Sequence, residues 1–366
     1  MSTATRVVAV LVAVSCLTTC GGGGSPAGPT PTPTPSATPA PLPDPDPLRD
    51  AAVSAGKMLG AAIQSGYLSQ APYNATLSKH FNSVTAEYEH KWDPVQRSPG
   101  VYDFTGADQI VEFAEARGMR VRGHALVWHG ATPAWVNSLT EPELRIAMED
   151  HIRTVAGRYR GRIFAWDVVN EAVADEGQPN TGGLRNSVFL QRLGPGFIAD
   201  AFRLARSAAP EARLYYNDYS IEGANAKFER TYALVKGLVD DGVPIDGVGF
   251  QMHVEAQNYP PAAQIAGNMQ RIVDLGLVVN ISEMDVRIRQ APGDLATRLE
   301  TQRRVYREIV AVCMAQPACD GITFWGFTDR YSWIDSFFGQ DDPLLFNENY
   351  GAKPAAYGVL DALLRR

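Results

Sequence analysis

The 366 residues are 45% hydrophobic and 20% charged, an ordinary globular composition with enough apolar material for a large core. A net charge of −7 excludes the basic footprint of a nucleic-acid binder and disfavours polyanionic partners, leaving neutral substrates open. Length alone allows two or three domains, but α/β barrels reach ~250 residues or more as one unit.

Residues 1–20 read as a targeting segment, with Arg6 as its positive end and an apolar run from Val7 to Leu17 too short to span a membrane as a mature helix. Two endings fit. Leu17-Thr18-Thr19-Cys20 before a glycine run resembles a bacterial lipobox, with Cys20 lipidated and the glycines as tether. Thr19 stands where Gly, Ala or Ser is usual, so ordinary signal cleavage and secretion is the alternative. The chain is expected to be exported, foremost as a lipoprotein at the cell surface or periplasmic side. Residues 21–47, rich in Gly, Pro, Thr and Ser, cannot bury apolar surface and read as a disordered linker, leaving 48–366 as the folded domain. Cys313 and Cys319 lie close together near the C-terminus. In an exported protein they are expected to form a disulfide, with two free core thiols as the other reading.

From residue 48 onward, strand-like and helical patterns alternate. Strands are predicted at 58–64, 81–87, 119–128, 162–171, 213–219, 247–253, 277–284 and 321–328. Helices are predicted at 108–117, 141–158, 197–208, 226–241, 262–275, 294–315 and 355–364, most stopped by Gly or Pro, the second opened by a Thr140–Glu143 capping pattern. Eight buried strands interleaved with helices predict an α/β protein, a single (β/α)8 TIM barrel with its active site at the C-terminal strand ends. The competing open doubly wound sheet calls for a Gly-rich phosphate turn after its first strand, and the sequence has none there.

Those strand ends carry the chemistry. Strand two ends in Glu87, with Lys91 and Trp92 beyond it. Strand three carries His124, Trp128 and His129, and strand four ends in Asn170 and Glu171. Strand five ends in Asn217 and Asp218, and strand six in Gln251 and His253. Strand seven carries Glu283 and Asp285, and strand eight leads to Trp325 and Trp333. Taken singly, a strand-end glutamate is a solvated rim residue, a tryptophan is core and a histidine is structural. Their concurrence at one end of nearly every strand argues for a site. Two glutamates at opposed strand ends are what glycoside hydrolysis requires: an acid to protonate the leaving oxygen and a carboxylate on the other face of the sugar. Retention follows when the carboxyls are about 5–5.5 Å apart. His253 and Asp285 are suited to hold Glu283 ionised, Gln251 to hold Glu171, and Asn170 to bond the hydroxyl beside the reacting carbon. Trp128, Trp325 and Trp333 offer faces for sugar rings. No metal-ligand spacing occurs, and neither metal nor cofactor is expected.

The motifs Asn82-Ser83-Val84-Thr85-Ala86-Glu87, Lys91-Trp92, Arg122-Gly123-His124-Ala125-Leu126-Val127-Trp128-His129, Trp166-Asp167-Val168-Val169-Asn170-Glu171, Asn217-Asp218-Tyr219, Gly249-Phe250-Gln251-Met252-His253, Ser282-Glu283-Met284-Asp285 and Trp325-Gly326-Phe327-Thr328-Asp329 come in one order. In that order they resemble the family 10 glycoside hydrolases, retaining endo-β-1,4-xylanases, across residues 50–366. The resemblance implies Glu171 as acid/base and Glu283 as nucleophile. It implies Lys91, His124, Trp128, Asn170, Gln251, His253, Trp325 and Trp333 around the reacting sugar, and Glu87 on the next sugar outward. It also implies a Cys313–Cys319 disulfide and a cis peptide between His124 and Ala125. The implied partner is a polysaccharide, xylan, acted on by a monomer that touches membrane only through its lipid.

The departures gather in one place. Tyr88 stands where the family usually has Asn, Ala131 where it has Gln, and His90 where it has Met. The first two positions bind the outer sugar, and two lost amide donors weaken hydrogen bonds of about 0.5–1.5 kcal/mol each. The alternative readings are a β-1,4-glucan or mixed-specificity endo-hydrolase with an altered outer subsite and, in another class, a non-catalytic carbohydrate-binding barrel.

Overall fold

The computed structural model describes residues 42–365. The leader, Cys20 and the linker as far as residue 41 lie outside the described residues. Eight parallel strands form the core: β1 (Met58–Ile63), β2 (Ser83–Ala86), β3 (Arg120–Trp128), β4 (Ile163–Asn170), β5 (Arg213–Asp218), β6 (Gly247–Phe250), β7 (Val278–Arg287) and β8 (Cys319–Phe324). Each pairs with the next, and β8 returns to pair with β1, so no edge is left open. This is the closed barrel expected, not the open sheet.

Strands covered on both faces read as unbroken apolar runs. In β5, Leu214, Tyr215, Tyr216, Asn217 and Asp218 are all buried. The helices bury one stripe each. Phe197–Ala208 buries Phe197, Ile198, Ala201, Phe202, Ala205 and Ala208, a spacing of one helical face. Phe202 is fully enclosed, so Phe202→Ala costs about 3–5 kcal/mol. Thr140 and Glu143 form the predicted capping box, the Thr140 N–H donating to Glu143 at 2.8 Å.

Several elements differ from expectation. A helix at Ala71–His80 was not predicted, because Pro72, Asn74 and Ser78 dilute its apolar stripe of Tyr73, Leu77 and His80. The sixth strand stops at Phe250. Met252 takes a φ of 66°, and the chain restarts as a short strand, His253–Glu255, paired with the far end of β7. For that reason β7 extends past 284 to Arg287. A small helix at Leu48–Ser54 precedes the first strand, and small helices at Trp92–Val95, Val188–Leu193 and Ile334–Phe338, with a hairpin of Asn180–Thr181 and Leu184–Arg185, fill the connections. Residues assigned to the end of the linker also touch the barrel: Asp44 pairs with Lys79 and His80. The Cys313–Cys319 disulfide is present, with Cα atoms 5.3 Å apart.

Candidate active site

Glu171 follows β4 directly and has a φ of 57°, a left-handed conformation uncommon for a residue with a side chain and concentrated at functional sites. Its backbone is held on both sides. Its N–H donates to the Asn217 carbonyl at 2.9 Å, and its carbonyl accepts from Arg185 Nε at 3.0 Å. The carboxylate accepts from Trp128 Nε1 at 2.9 Å, Gln251 Nε2 at 3.1 Å and Asn170 Nδ2 at 3.2 Å.

Glu283 sits within β7, 4% exposed. It accepts from Asn217 Nδ2 at 2.6 Å and lies 3.3 Å from His253 Nε2 and 3.8 Å from His124 Nδ1. Burial pushes its carboxyl up, but His124 and His253 outweigh burial and hold it below the ordinary glutamate value. Burial acts in the opposite sense on His253, and Asp285 at 2.8 Å together with Glu283 reverses it, raising the imidazole to about 10. His253 is therefore a cation donating to both carboxylates at neutral pH.

Two amides connect the pair. One N–H of Asn217 goes to Glu283, the other to Asn170 Oδ1 at 2.8 Å, and Asn170 in turn donates to Glu171. Ser282 Oγ fixes the Asn217 amide by donating to Oδ1 at 2.5 Å. The close approach needs Gly249, where a Cβ would lie 2.2 Å from Asn217 Oδ1.

Below the pair, the Arg122 guanidinium grips Asp167, Nε to Oδ2 at 3.0 Å. The same Oδ2 lies 3.0 Å from His124 Nδ1. The peptide between His124 and Ala125 is cis, as expected. Around the mouth, the Lys91 ammonium stands 4.6 Å from the Trp128 ring and 5.8 Å from that of Trp325, and burial lowers its pKa. Trp333 Nε1 donates to Asp285 at 2.9 Å. Burial pushes Glu87 up to about 7, against the pull of Gln64 and Lys91.

The positions that depart from the family pattern have distinct surroundings. Tyr88 is 42% exposed and its hydroxyl donates to Asp93 at 3.0 Å. Ala131 lies half-buried in the turn after β3. His90 is wholly buried against Tyr159 and Trp166, and burial lowers its pKa to about 3, so it packs as a neutral ring. Sequence reasoning assigned no role to Asn217, Arg122, Asp167 or Arg185. The first three stood inside motifs already noted. Arg185 gave no signal, because it reaches Glu171 from the two-residue strand of a short hairpin outside the barrel.

A model of glycosyl hydrolase family 10 matches residues 47–362. The chain belongs to glycosyl hydrolase family 10. Endo-1,4-beta-xylanase B of Thermotoga neapolitana is 41% identical over 298 residues, covering 80% of this chain and 83% of the relative. An endo-1,4-beta-xylanase of Agaricus bisporus is 38% identical over 320 residues, covering 86% and 93%. Among solved structures, xylanase 10B of Thermotoga petrophila RKU-1 in complex with xylobiose superposes with a TM-score of 0.83 at 40% identity, covering 88% of this chain and 99% of the other. As a family 10 barrel, the chain brings two carboxylates to one mouth, one held ionised by a partly buried cation and one on a strained turn with three donors.

Proposed function

We propose that this family 10 barrel is an endo-β-1,4-xylanase that hydrolyses xylan with retention. The observation that carries the reading is the amide bridge Glu171–Asn170–Asn217–Glu283, with His253 and His124 keeping Glu283 anionic. The printed names of the relatives, and the xylobiose in one of the solved structures, support the substrate class.

In the first step Glu171, protonated, gives its proton to the glycosidic oxygen as that bond to C1 breaks. Glu283 attacks C1 from the opposite face and forms a glycosyl ester. In the second, the Glu171 carboxylate takes a proton from water. The water oxygen bonds to C1, the ester bond breaks, and both carboxyls return to their starting states. His253 and Asp285 orient Glu283, and Gln251 orients Glu171. Asn170 bonds the hydroxyl beside C1, and Lys91 and His124 bond the same sugar. Trp128, Trp325 and Trp333 wall it, and Glu87 takes the next sugar outward. Product analysis on xylans and glucans tests the reading: short xylo-oligosaccharides from the interior of xylan support it, and no turnover overturns it. Glu283→Ala separates it from a non-catalytic barrel, which has no turnover to lose.

A second reading concerns breadth. The exposed Tyr88 ring and the small Ala131 favour an outer subsite that also accepts a hydroxymethyl-bearing sugar, as in β-glucan. Aryl xylobioside against aryl cellobioside tests it, and a preference equal to that of the Tyr88→Asn, Ala131→Gln variant refutes it. Export with lipid at Cys20 is proposed on the leader sequence, and the disulfide agrees with an oxidising compartment. Failure of fatty-acid labelling, or its persistence in Cys20→Ser, overturns the anchor.

A further inference from the structure

Past the carboxylate pair, β7 continues for one more pleat. Asp285 and Arg287 lie opposite His253 and Glu255 in register. Arg287 therefore stands on the same side of the strand as Asp285, ~6.6 Å further out. It pairs with Glu255 at 2.9 Å, and its guanidinium lies 4.1 Å from the Phe338 ring. The short helix Ile334–Phe338 forms an aromatic shelf that begins at the mouth of the site. Trp333 meets Phe337 at 5.3 Å and Phe338 at 5.7 Å, both edge-on, and Phe337 is 75% exposed. Between shelf and strand lies a pocket of about 360 Å³ bounded by Glu255, Arg287, Arg289, Phe338 and Asp341, large enough for a small ligand.

Arg289 sets the chemistry of this pocket. Its Nη1 donates to the Phe338 carbonyl at 2.7 Å. The guanidinium rests on Gly339, where φ is +83° and a Cβ would come within 2.3 Å of Nη1, so the loop is shaped around the arginine. Among the described residues no carboxylate pairs with it. The neighbouring acids have other partners. Glu255 holds Arg287, Asp341 accepts from the backbone N–H groups of Ile288, Arg289 and Asp342, and Asp335 accepts from that of Asp341. A guanidinium carries five N–H donors in a planar fork that fits a carboxylate, so most of this one remains available.

We propose that this shelf binds a uronic acid branch of the polysaccharide, its carboxylate on the fork of Arg289 and its C–H face on Phe338, the ring that lines the pocket. The proposal rests on the reading of the cleft as a xylan site. It places acid recognition beside the reacting centre, in a chain whose net charge of −7 otherwise repels acidic sugars.

The test uses three xylo-oligosaccharides of equal length: linear, bearing one glucuronic acid branch, and bearing the methyl ester of that branch. Calorimetry on the Glu283→Ala protein reads binding without consuming the probes. The acid-branched probe is expected to bind more tightly than its ester. Arg289→Gln is expected to close that gap by roughly tenfold, the weight of a charge-assisted contact. Phe338→Ala, a change at an exposed side chain, is expected to weaken both branched probes relative to the linear one. Equal binding of acid and ester, or an equal loss on all three probes in Arg289→Gln, overturns the proposal. If the native chain leaves the linear probe uncut while the acid branch still binds through Arg289, the hydrolase reading falls and this site stands.

Discussion

Replacing His253 with Asn removes the cation that keeps Glu283 ionised. His253 Nε2 lies 3.3 Å from Glu283 Oε2. At that separation unit charges attract by about 5 kcal/mol at an effective dielectric of ~20 and by about 1 kcal/mol in bulk water. Asp285 shares the imidazolium, and His124 stays 3.8 Å from the other carboxylate oxygen, so the loss falls in the lower half of that range. About 1.4–2.7 kcal/mol corresponds to one to two pH units. The sign follows from the need of Glu283, as the proposed nucleophile, to be deprotonated. In the native enzyme Glu283 is held below the ordinary glutamate value, so the acidic limb of kcat/KM on an aryl xylobioside lies below that of a free carboxyl. In His253→Asn the acidic limb moves up by about one to two units. The same residue gives an alkaline effect on stability. A histidine raised to about 10 contributes stability that is complete below its unfolded value of 6.5 and lost as pH rises through 10. An unmoved acidic limb in the variant, with kcat reduced evenly at all pH values, would show that His253 does not set the ionisation of Glu283.

Other substitutions probe the neighbouring links. Asn217→Ala removes two of the three donor contacts in the amide bridge and leaves the one from Asn170 to Glu171. It should lower kcat by roughly tenfold to a hundredfold with a smaller change in KM, and cost about 1–3 kcal/mol in denaturant unfolding. Arg185→Ala frees the Glu171 carbonyl from its brace and should lower kcat about tenfold while xylobiose affinity holds, as read by steady-state kinetics and calorimetry. Glu87→Gln should stabilise the fold by up to ~2–3 kcal/mol at pH 8 and by little at pH 4. A carboxyl raised to about 7 favours the folded state only while protonated, so the native protein loses that stability as pH rises between 4.5 and 7. The same change should weaken activity on xylobiosides, giving opposite signs in melting temperature and kcat/KM.

The barrel was legible because parallel strands buried on both faces leave short apolar runs, and eight of them alternate with helical patterns. The Ala71–His80 helix was not, since its stripe is only Tyr73, Leu77 and His80 among polar residues, and its stability comes from docking on the barrel. Carboxylates at strand ends could be found by inspection, because strand direction dictates where they point. Supporting residues divide by cause. Asn217, Arg122 and Asp167 occupy strands and were visible as polar residues in apolar runs, but their partners depend on register. Arg185 reaches Glu171 from a hairpin, and Met252 breaks the sixth strand with a left-handed residue, and neither follows from periodicity. Arg289 carries its meaning only through Gly339 and Phe338, which lie 50 and 49 positions along the chain but meet it where the Ile334–Phe338 helix ends.

The central claim is that Glu283 attacks the anomeric carbon. Incubation with a 2-deoxy-2-fluoro-β-xylobioside bearing a good leaving group, followed by peptide mass spectrometry, measures this directly. Stoichiometric loss of activity and a fluoroxylobiosyl label on the peptide containing Ser282-Glu283-Met284-Asp285 are expected. A label on Glu171 or Glu87 instead, or continued turnover with no covalent species, contradicts the claim.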